Sequence, residues 1–244
     1  MSDPYEQFSP SSAKIEIVPA ILSKKLRTIE QQLALVHSEA RQVQIDVVDG
    51  VFARPKTWPY TDSATFDALV KGDAKLPFWD ELQFELDLMV ADPSADVREF
   101  IQTGVSRIVL HAHSGNVEQA FQRLIDTRND EGSGTVSVGI AIMPMDQLEV
   151  LEPFDAQFDF VQVMGIDTIG RQGQKFNQHA VFLLERLRRR YPQLPLQVDG
   201  GVSLENAQAL VRAGATRLIV GSAIFGSKDP IVAYRALMEI VNQS

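Results

Sequence analysis

The chain has 244 residues, of which 45% are hydrophobic and 23% are charged, and its formal net charge is −9. That length is close to the roughly 250 residues of a (β/α)8 barrel and suits one domain with a sizeable core. An acidic chain repels a phosphate backbone at long range, which argues against nucleic acid as a partner. A small phosphorylated metabolite is still allowed, because backbone N–H groups can bind a phosphate without a basic surface.

The chain contains no cysteine, so it has neither a disulfide framework nor a thiolate zinc site. It has no apolar run of about 18 residues that could span a membrane, so no membrane partner is expected. The polar start, Met1–Ser12, lacks the apolar stretch of a signal peptide and is predicted to be a flexible tail. These features predict a cytoplasmic protein.

Short apolar runs alternate with longer amphipathic stretches along the chain. The strands are predicted at Lys14–Leu22, Val43–Val48, Leu82–Val90, Arg107–Ala112, Val136–Met143, Phe158–Met164, Leu194–Asp199 and Arg217–Val220. The helices are predicted at Thr28–Ala40, Ser63–Lys71, Ser94–Thr103, Asn116–Thr127, Gln147–Leu151, Gln178–Arg189, Ser203–Ala213 and Pro230–Val241. Ser203 is the expected N-cap of its helix, and Gly214 follows the end of that helix.

Eight strand–helix alternations predict an α/β protein with a parallel sheet and right-handed crossovers. The strands read as nearly continuous apolar runs, as buried parallel strands do. We therefore expect a single-domain (β/α)8 TIM barrel over residues 13–244, with a doubly wound open sheet as the alternative. The longest irregular stretch, Gly50–Asp62, is expected to be functional. Its Trp58 and Tyr60 could shield the barrel mouth or meet a neighbouring subunit.

Acidic residues lie inside otherwise apolar strands at three places. Asp46, Asp87 and Asp199 fall near the carboxyl ends of the second, third and seventh strands, and Gln44 shares a strand face with Asp46. A buried carboxylate is unfavourable unless it is paired or bound to a metal. Each could simply cap a loop, but in a barrel all three would converge on the mouth where active sites form.

Glycines follow the last two strands, as Gly200-Gly201 and as Gly221-Ser222. The loops after strands seven and eight, with a short extra helix, form the common phosphate site of these barrels. Glycine lets the backbone approach a phosphate closely, and free N–H groups supply the positive end of the site. Gly165–Gly173, after strand six, could add further donors. The alternative is that these glycines only form tight turns.

Several segments together resemble the ribulose-phosphate 3-epimerases. The resemblance runs from about Ile15 to the C-terminus, and its strongest parts are the last two motifs. The matching segments are Val18–Ser23, Ile45–Phe52, Leu86–Pro93, Gln174–Phe176, Gln197–Val202 and Val220–Gly226.

The resemblance implies an isomerase of carbohydrate metabolism that acts on a pentose phosphate or a related ketose phosphate. It implies that Asp46 and Asp199 exchange the C3 proton through a cis-enediolate, one removing it and the other returning it on the opposite face. It also implies a divalent metal at the enediolate oxygens. The residues expected to bind the substrate or its phosphate are Gly200, Gly201, Gly221, Ser222, Gly170, Arg171, Gly173, Met89 and His111. For His111 the alternative is a hydrogen bond to a buried backbone carbonyl.

The chain also departs from the family pattern. Gln44 and Asp87 occupy the positions of two histidine metal ligands, Ala20 replaces a substrate-contacting serine, and Asp167–Gln174 is about one residue longer than usual and brings in Arg171. A metal set of Gln44, Asp46, Asp87 and Asp199 would consist of oxygen ligands, which suit Mg²⁺ or Mn²⁺ better than Zn²⁺ or Fe²⁺. Without a metal, the clustered carboxylates would raise one another's pKa values. No organic cofactor is expected.

Two other functions remain open at this point. One is a related barrel that decarboxylates or cleaves a phosphorylated sugar; a Schiff-base aldolase needs a strand lysine, and only Lys14 opens a predicted strand. The other is a catalytically silent phosphosugar-binding or regulatory protein. A homo-oligomer is expected, with the Phe78-Trp79 and Trp58 regions as candidate contacts.

Overall fold

The computed structural model describes residues 14–130, 136–154 and 157–243, so the expected tail Met1–Ser12 lies outside the described residues. Eight parallel strands form a closed barrel in sequence order, with the eighth strand paired to the first. This closure confirms the predicted TIM barrel and excludes the open sheet. The strands are β1 Glu16–Ile21, β2 Gln42–Val48, β3 Gln83–Met89, β4 Arg107–His111, β5 Ser137–Ile142, β6 Phe160–Met164, β7 Leu196–Asp199 and β8 Arg217–Val220.

Helices follow the strands around the outside of the barrel. They are α1 Leu26–Leu33, α2 Ser63–Val70, α3 Val97–Gln102, α4 Val117–Asp130, α5 His179–Arg190, α6 Ala207–Arg212, α7 Ser222–Phe225 and α8 Pro230–Asn242, with a 3-10 helix at Leu148–Phe154 between β5 and β6. Within the described ranges, none of these helices has the length and apolar character needed to cross a bilayer.

The predicted start of the helix after β7 is wrong. Asn206, rather than Ser203, is the N-cap, and α6 begins at Ala207. The Asn206 side chain bonds backward, accepting from the Ser203 N–H at 2.8 Å and donating to the Gly201 carbonyl at 2.9 Å. These bonds hold the residues before α6 in a turn, so the helix starts later than the apolar periodicity suggests. The first helix is also shorter than predicted, because it ends at Leu33 and turns follow it.

The main apolar core lies between the barrel wall and the helices. Ile45 and Val47 of β2 point outward into this core, since side chains alternate along a strand. Trp58 belongs to the same core: it is 1% exposed, and its ring meets Phe66 edge-on at 5.9 Å between centroids. Trp58 therefore neither shields the mouth nor contacts a neighbouring subunit, because its side chain is enclosed by its own chain. Trp79, in contrast, is exposed.

The barrel interior is unusually polar. TIM barrel interiors are usually filled by branched apolar side chains, but here buried polar residues come from six of the eight strands. They include Gln44, Asp46, Glu85, Asp87, His111, Gln162, Gln197 and Arg217, each at most 6% exposed. Buried polar groups need partners, so the arrangement of this interior is set by hydrogen bonds and charge pairs as much as by shape.

Four charged side chains near the amino ends of the strands form what we call the basal ion-pair cluster: Glu16, Glu85, Arg107 and Arg217. A Glu85 oxygen accepts from Arg107 Nε at 2.6 Å and from Arg217 Nη1 at 2.7 Å, and Arg217 Nε pairs with Glu16 at 3.0 Å. Burial raises the pKa of Glu85, but attraction to Arg217 and Arg107 outweighs it and holds the pKa below its ordinary value. This cluster closes the base of the barrel with its charges balanced.

Candidate active site

Three carboxylates meet at the mouth of the barrel, the end formed by the carboxyl ends of the strands. Asp46 and Asp87 are register partners on β2 and β3, and Asp199 ends β7 beside Met164 of β6. Each of the three offers an oxygen within 4.8 Å of the others. Asp46 and Asp87 are buried and Asp199 is partly buried. Closure of the barrel thus brings together residues up to 153 positions apart, from Asp46 to Asp199.

The side chain of Gln44 bridges two of these carboxylates. Its Nε2 donates to Asp46 Oδ1 at 2.9 Å and to Asp199 Oδ2 at 3.2 Å. Its Oε1 is buried and has no hydrogen-bond partner among the described residues. A buried acceptor without a partner is unfavourable, and turning the amide over would direct this oxygen toward the carboxylates. Together with the three carboxylates it makes an oxygen donor set that fits a hard divalent cation.

Burial and mutual repulsion change the acidity of the two bridged carboxyls. Burial raises the pKa of Asp46 to about 8, the charge of Asp87 adds to the rise, and the hydrogen bond from Gln44 opposes it. Burial also raises the pKa of Asp199 well above its ordinary value, with further contributions from Asp46 and Asp87. Without a cation, the protein therefore favours keeping protons on these side chains near neutral pH.

This acidity predicts a pH-dependent stability for the metal-free protein. A carboxyl whose pKa is higher in the folded state stabilises the fold at low pH, and that stability is lost as the pH rises from the unfolded value toward the folded one. For Asp46 this interval runs from 3.8 to about 8. With EDTA present, we expect the melting temperature to decrease as the pH is raised from 5.5 to 8.5. Asp46→Asn should make this decrease smaller. Identical slopes for the two proteins would contradict the expectation; thermal unfolding followed by circular dichroism measures both.

Asp87 is held by two neighbours. His111 Nε2 lies 2.9 Å from Asp87 Oδ1, and Gln162 Nε2 donates to Asp87 Oδ2 at 3.0 Å. His111 is only 2% exposed and is not among the residues that line the cleft at the mouth. The His111 imidazole hydrogen-bonds to the Asp87 carboxylate, so the role of His111 is to hold Asp87 in place.

Another aspartate of the second-strand motif has a different environment. Asp49 Oδ1 accepts from the N–H groups of Val51 and Phe52 at 2.7 and 2.8 Å, and Asp49 Oδ2 accepts from the Ala91 N–H at 2.7 Å. These bonds to backbone shape the loop after β2 and attach it to the end of β3. Asp49 is thus a structural residue, while Asp46 faces the cleft.

A cleft beside the carboxylates has five glycines in its lining. Gly200 and Gly201 have φ of +99° and +68°, a conformation that side chains disfavour, and Gly221 immediately precedes α7. The lining residues are Ala20, Asp46, Met89, Met164, Ile166, Gly170, Arg171, Gln172, Gly173, Asp199, Gly200, Gly201, Val202, Ile219, Gly221 and Ser222. The structure therefore brings every predicted substrate-binding residue except His111 to one cleft.

The loop after β6 crosses this cleft and contributes a residue that sequence reasoning missed. Gln172 Nε2 donates to the Ala20 carbonyl at 3.0 Å, and a methyl group added at Gly221 would lie 2.3 Å from that Nε2. On the far side, Gly170 packs against the loop after β2, with Arg54 O 2.9 Å from where a side chain would begin. Arg171 is exposed at the rim. The sequence could not single out Gln172, because Gln174 in the same loop is equally polar. Only the folded loop shows which of the two glutamines reaches the cleft.

The fold and the site together define a class: a (β/α)8 barrel with a carboxylate pair and a glycine-lined cleft at the carboxyl ends of its strands. Within that class, the sequence profile of the Ribulose-phosphate 3 epimerase family matches residues 16–225. The chain belongs to this family, whose members are isomerases acting on carbohydrate phosphates. The match covers all eight strands and α1 to α7.

Curated relatives support this membership over most of the chain. The ribulose-phosphate 3-epimerase of Schizosaccharomyces pombe is 27% identical over 217 residues, covering 88% of this chain and 89% of that protein. The chloroplastic ribulose-5-phosphate-3-epimerase of Arabidopsis thaliana is 29% identical, covering 93% and 77%. Among solved structures, 3-hexulose-6-phosphate synthase from Salmonella typhimurium superimposes with a TM-score of 0.69 at 16% identity, over 94% of this chain and 99% of that one. At that identity the likeness concerns the fold alone.

Proposed function

We propose that this protein epimerises a ketose phosphate at C3, with Asp46 and Asp199 as the acid/base pair. The observation that carries the proposal is that Asp46 and Asp199 line one cleft and each offers an oxygen within 4.8 Å of the other. Inversion at a carbon needs one group to remove a proton and another to deliver one to the opposite face. Two carboxyls with raised pKa values suit these roles, since one can hold a proton while the other is ionised.

In the proposed reaction, one aspartate takes the proton from C3. The electron pair of the C3–H bond forms the C2–C3 double bond, and the C2 carbonyl oxygen takes up the negative charge. The other aspartate then donates its proton to the opposite face of C3 and the carbonyl re-forms. The product is the C3 epimer. The aspartate that was ionised at the start now carries a proton and the other aspartate is ionised, until proton exchange with solvent restores the starting state.

The glycine-lined cleft is the proposed phosphate site. Backbone N–H groups of Gly200, Gly201, Gly221 and Ser222 are candidates for the phosphate oxygens, because a glycine backbone admits close approach. Gly170, Arg171 and Gly173 lie on the loop that crosses the cleft, where the Arg171 guanidinium can pair with the phosphate charge. Met89 lines the apolar wall beside the carboxylates.

A divalent cation is part of the proposal, held by Gln44, Asp46, Asp87 and Asp199. Four oxygen ligands without imidazole or thiolate favour Mg²⁺ or Mn²⁺ over Zn²⁺ or Fe²⁺. When bound, the cation stabilises negative charge that develops on the substrate oxygens and lowers the pKa of the C3 proton. The unpaired Gln44 Oε1 supports the assignment, because a cation ligand role would give this buried acceptor a partner.

Solvent exchange tests the proposed reaction directly. In deuterium oxide with Mg²⁺ or Mn²⁺, the enzyme should wash deuterium into C3 of ribulose 5-phosphate and form the C3 epimer, both followed by proton NMR. The same reaction is run with Zn²⁺ and Fe²⁺ and with EDTA-treated protein. Deuterium incorporation no higher than the buffer blank with all four metals would remove the epimerase proposal.

The remaining alternative is a phosphosugar-binding barrel without turnover, for which saturable binding with no exchange would be the signature. A Schiff-base aldolase is further disfavoured, since no strand in the described ranges carries a lysine. The expected homo-oligomer stays a prediction.

A further inference from the structure

The Asp87 carboxylate is fixed at both oxygens by side chains that the proposed proton transfers do not use. His111 reaches Oδ1 at 2.9 Å and Gln162 donates to Oδ2 at 3.0 Å. Asp87 and Gln162 are fully buried, and His111 is 2% exposed. A carboxylate held at both ends cannot rotate without breaking a hydrogen bond, so its neighbours decide where its remaining lone pairs point.

The orientation of the Gln162 amide follows from a chain of contacts that begins at Arg217. A guanidinium only donates hydrogen bonds, so Gln197 must turn its Oε1 toward Arg217 Nη1. The Nε2 of Gln197 then donates to Glu85 Oε1 at 2.9 Å and to Gln162 Oε1 at 2.5 Å. Gln162 is left with its Nε2 facing Asp87. We call this series of hydrogen bonds the amide relay; it runs from Arg217 through Gln197 and Gln162 to Asp87.

Reversing the Gln162 amide would place its oxygen against a carboxylate oxygen and its NH₂ against the NH₂ of Gln197. Both contacts are repulsive in a buried, low-dielectric interior, where hydrogen-bond chains strengthen one another. Gln44 differs, because its Oε1 has no partner among the described residues and its amide can turn. The interior thus contains an adaptable glutamine, Gln44, beside a glutamine whose orientation is locked, Gln162.

We propose that Gln162 is a positioning residue that fixes Asp87 for the cation, and that the amide relay transmits this constraint from Arg217. The inference rests on the cation site of the proposed function. Outer partners that orient metal ligands typically contribute 10- to 100-fold to metal affinity. Removing the Gln162 donor should weaken the cation site by about tenfold or more, while the phosphate cleft keeps its shape.

Binding of Mn²⁺ alone, measured from the electron paramagnetic resonance signal of free Mn²⁺ well below the unfolding temperature, tests this role. Gln162→Leu should raise the Mn²⁺ dissociation constant by about tenfold or more. The matched control is Gln42→Leu. Gln42 is partly buried and its Oε1 accepts from Arg217 Nη2 at 2.5 Å, but Gln42 is not part of the amide relay. The control should change the dissociation constant by less than about twofold, although either variant can lower the melting temperature.

A second pair of variants covers the case in which Gln162→Leu does not fold. His111→Gln keeps an N–H donor toward Asp87 and should keep most of the Mn²⁺ affinity, whereas His111→Leu should lose it. Wild-type affinity in folded Gln162→Leu, or equal affinities in the two His111 variants, would overturn the positioning role. A wild-type protein that binds no Mn²⁺ would overturn this inference together with the proposed cation site. Tight Mn²⁺ binding without C3 exchange would overturn only the proposed reaction.

Discussion

Asp46→Asn should reduce the rate of C3 epimerisation by about 10²- to 10⁴-fold, the range expected when an acid/base group is lost. Asparagine has nearly the same shape but neither accepts nor delivers the proton. The fold should tolerate it, since the change removes a buried carboxyl with a pKa raised to about 8 and keeps a polar partner for Gln44. Initial rates of epimer formation, measured by proton NMR at saturating substrate and Mg²⁺, give the comparison.

The matched control is Asp159→Asn. Asp159 pairs with Arg128 at 3.1 Å and accepts from the Val138 N–H at the amino end of β5, outside the residues that line the cleft. Its variant should keep the rate within about twofold of wild type, because it removes no interaction with the reacting atoms. Turnover by Asp46→Asn at the control's rate would refute the acid/base assignment.

The two asparagine variants should also differ in the deuterium exchange that they retain. If each serves one face of C3, Asp46→Asn and Asp199→Asn should both lose epimerisation, but each should spare residual deuterium exchange from a different epimer. Incubating each variant in deuterium oxide with either of the two C3-epimeric ketopentose 5-phosphates separates the faces. The same exchange pattern in both variants would mean that the two carboxyls do not act on opposite faces.

Glu85→Gln should lower the free energy of unfolding by about 3–5 kcal/mol, the usual effect of removing one partner from a buried charge pair. Glu85 is 1% exposed and faces Arg107 and Arg217 at 2.6 and 2.7 Å, so the variant leaves two guanidinium groups without their shared counter-charge. Urea unfolding at pH 7, followed by circular dichroism, measures the change. The loss should appear as a lower midpoint at an unchanged slope.

The control for this prediction is Glu39→Gln, because Glu39 forms an ion pair of equal length, 2.6 Å, with Arg235 at the surface. Exposed pairs contribute little, since water screens them, so the midpoint should not move measurably.

The pH dependence gives a second check. A carboxylate with a lowered folded pKa stabilises the protein above its unfolded pKa, and that stability is lost as the pH falls through the folded value. The gap between wild type and Glu85→Gln should therefore shrink below about pH 4.5. A similar small effect for both variants would show that burial does not distinguish the two pairs.

Much of the site was accessible from the amino-acid sequence, for a local reason. Period-two alternation puts Gln44 and Asp46 on one face of β2, and parallel strands place their carboxyl ends at a common mouth. Asp199 and the glycines that follow it were assigned to that mouth by strand order alone. The closed barrel and the family are likewise consequences of the order and spacing of motifs along one chain.

The hydrogen-bond partners of these residues could be decided only by the tertiary structure. Gln162 and Asp87 are 75 positions apart and Glu85 and Arg217 are 132 apart, and each pair meets only because the sheet closes. In sequence, Gln162 reads as one polar residue in an apolar strand, with nothing to indicate which carboxylate it faces. Trp58 shows the converse, since a loop tryptophan expected near the mouth is buried in the outer core. The sequence determined which groups reach the barrel interior, because alternation is a property of the strand. Closure determined which of them touch, because contact depends on distances between strands that no local pattern encodes.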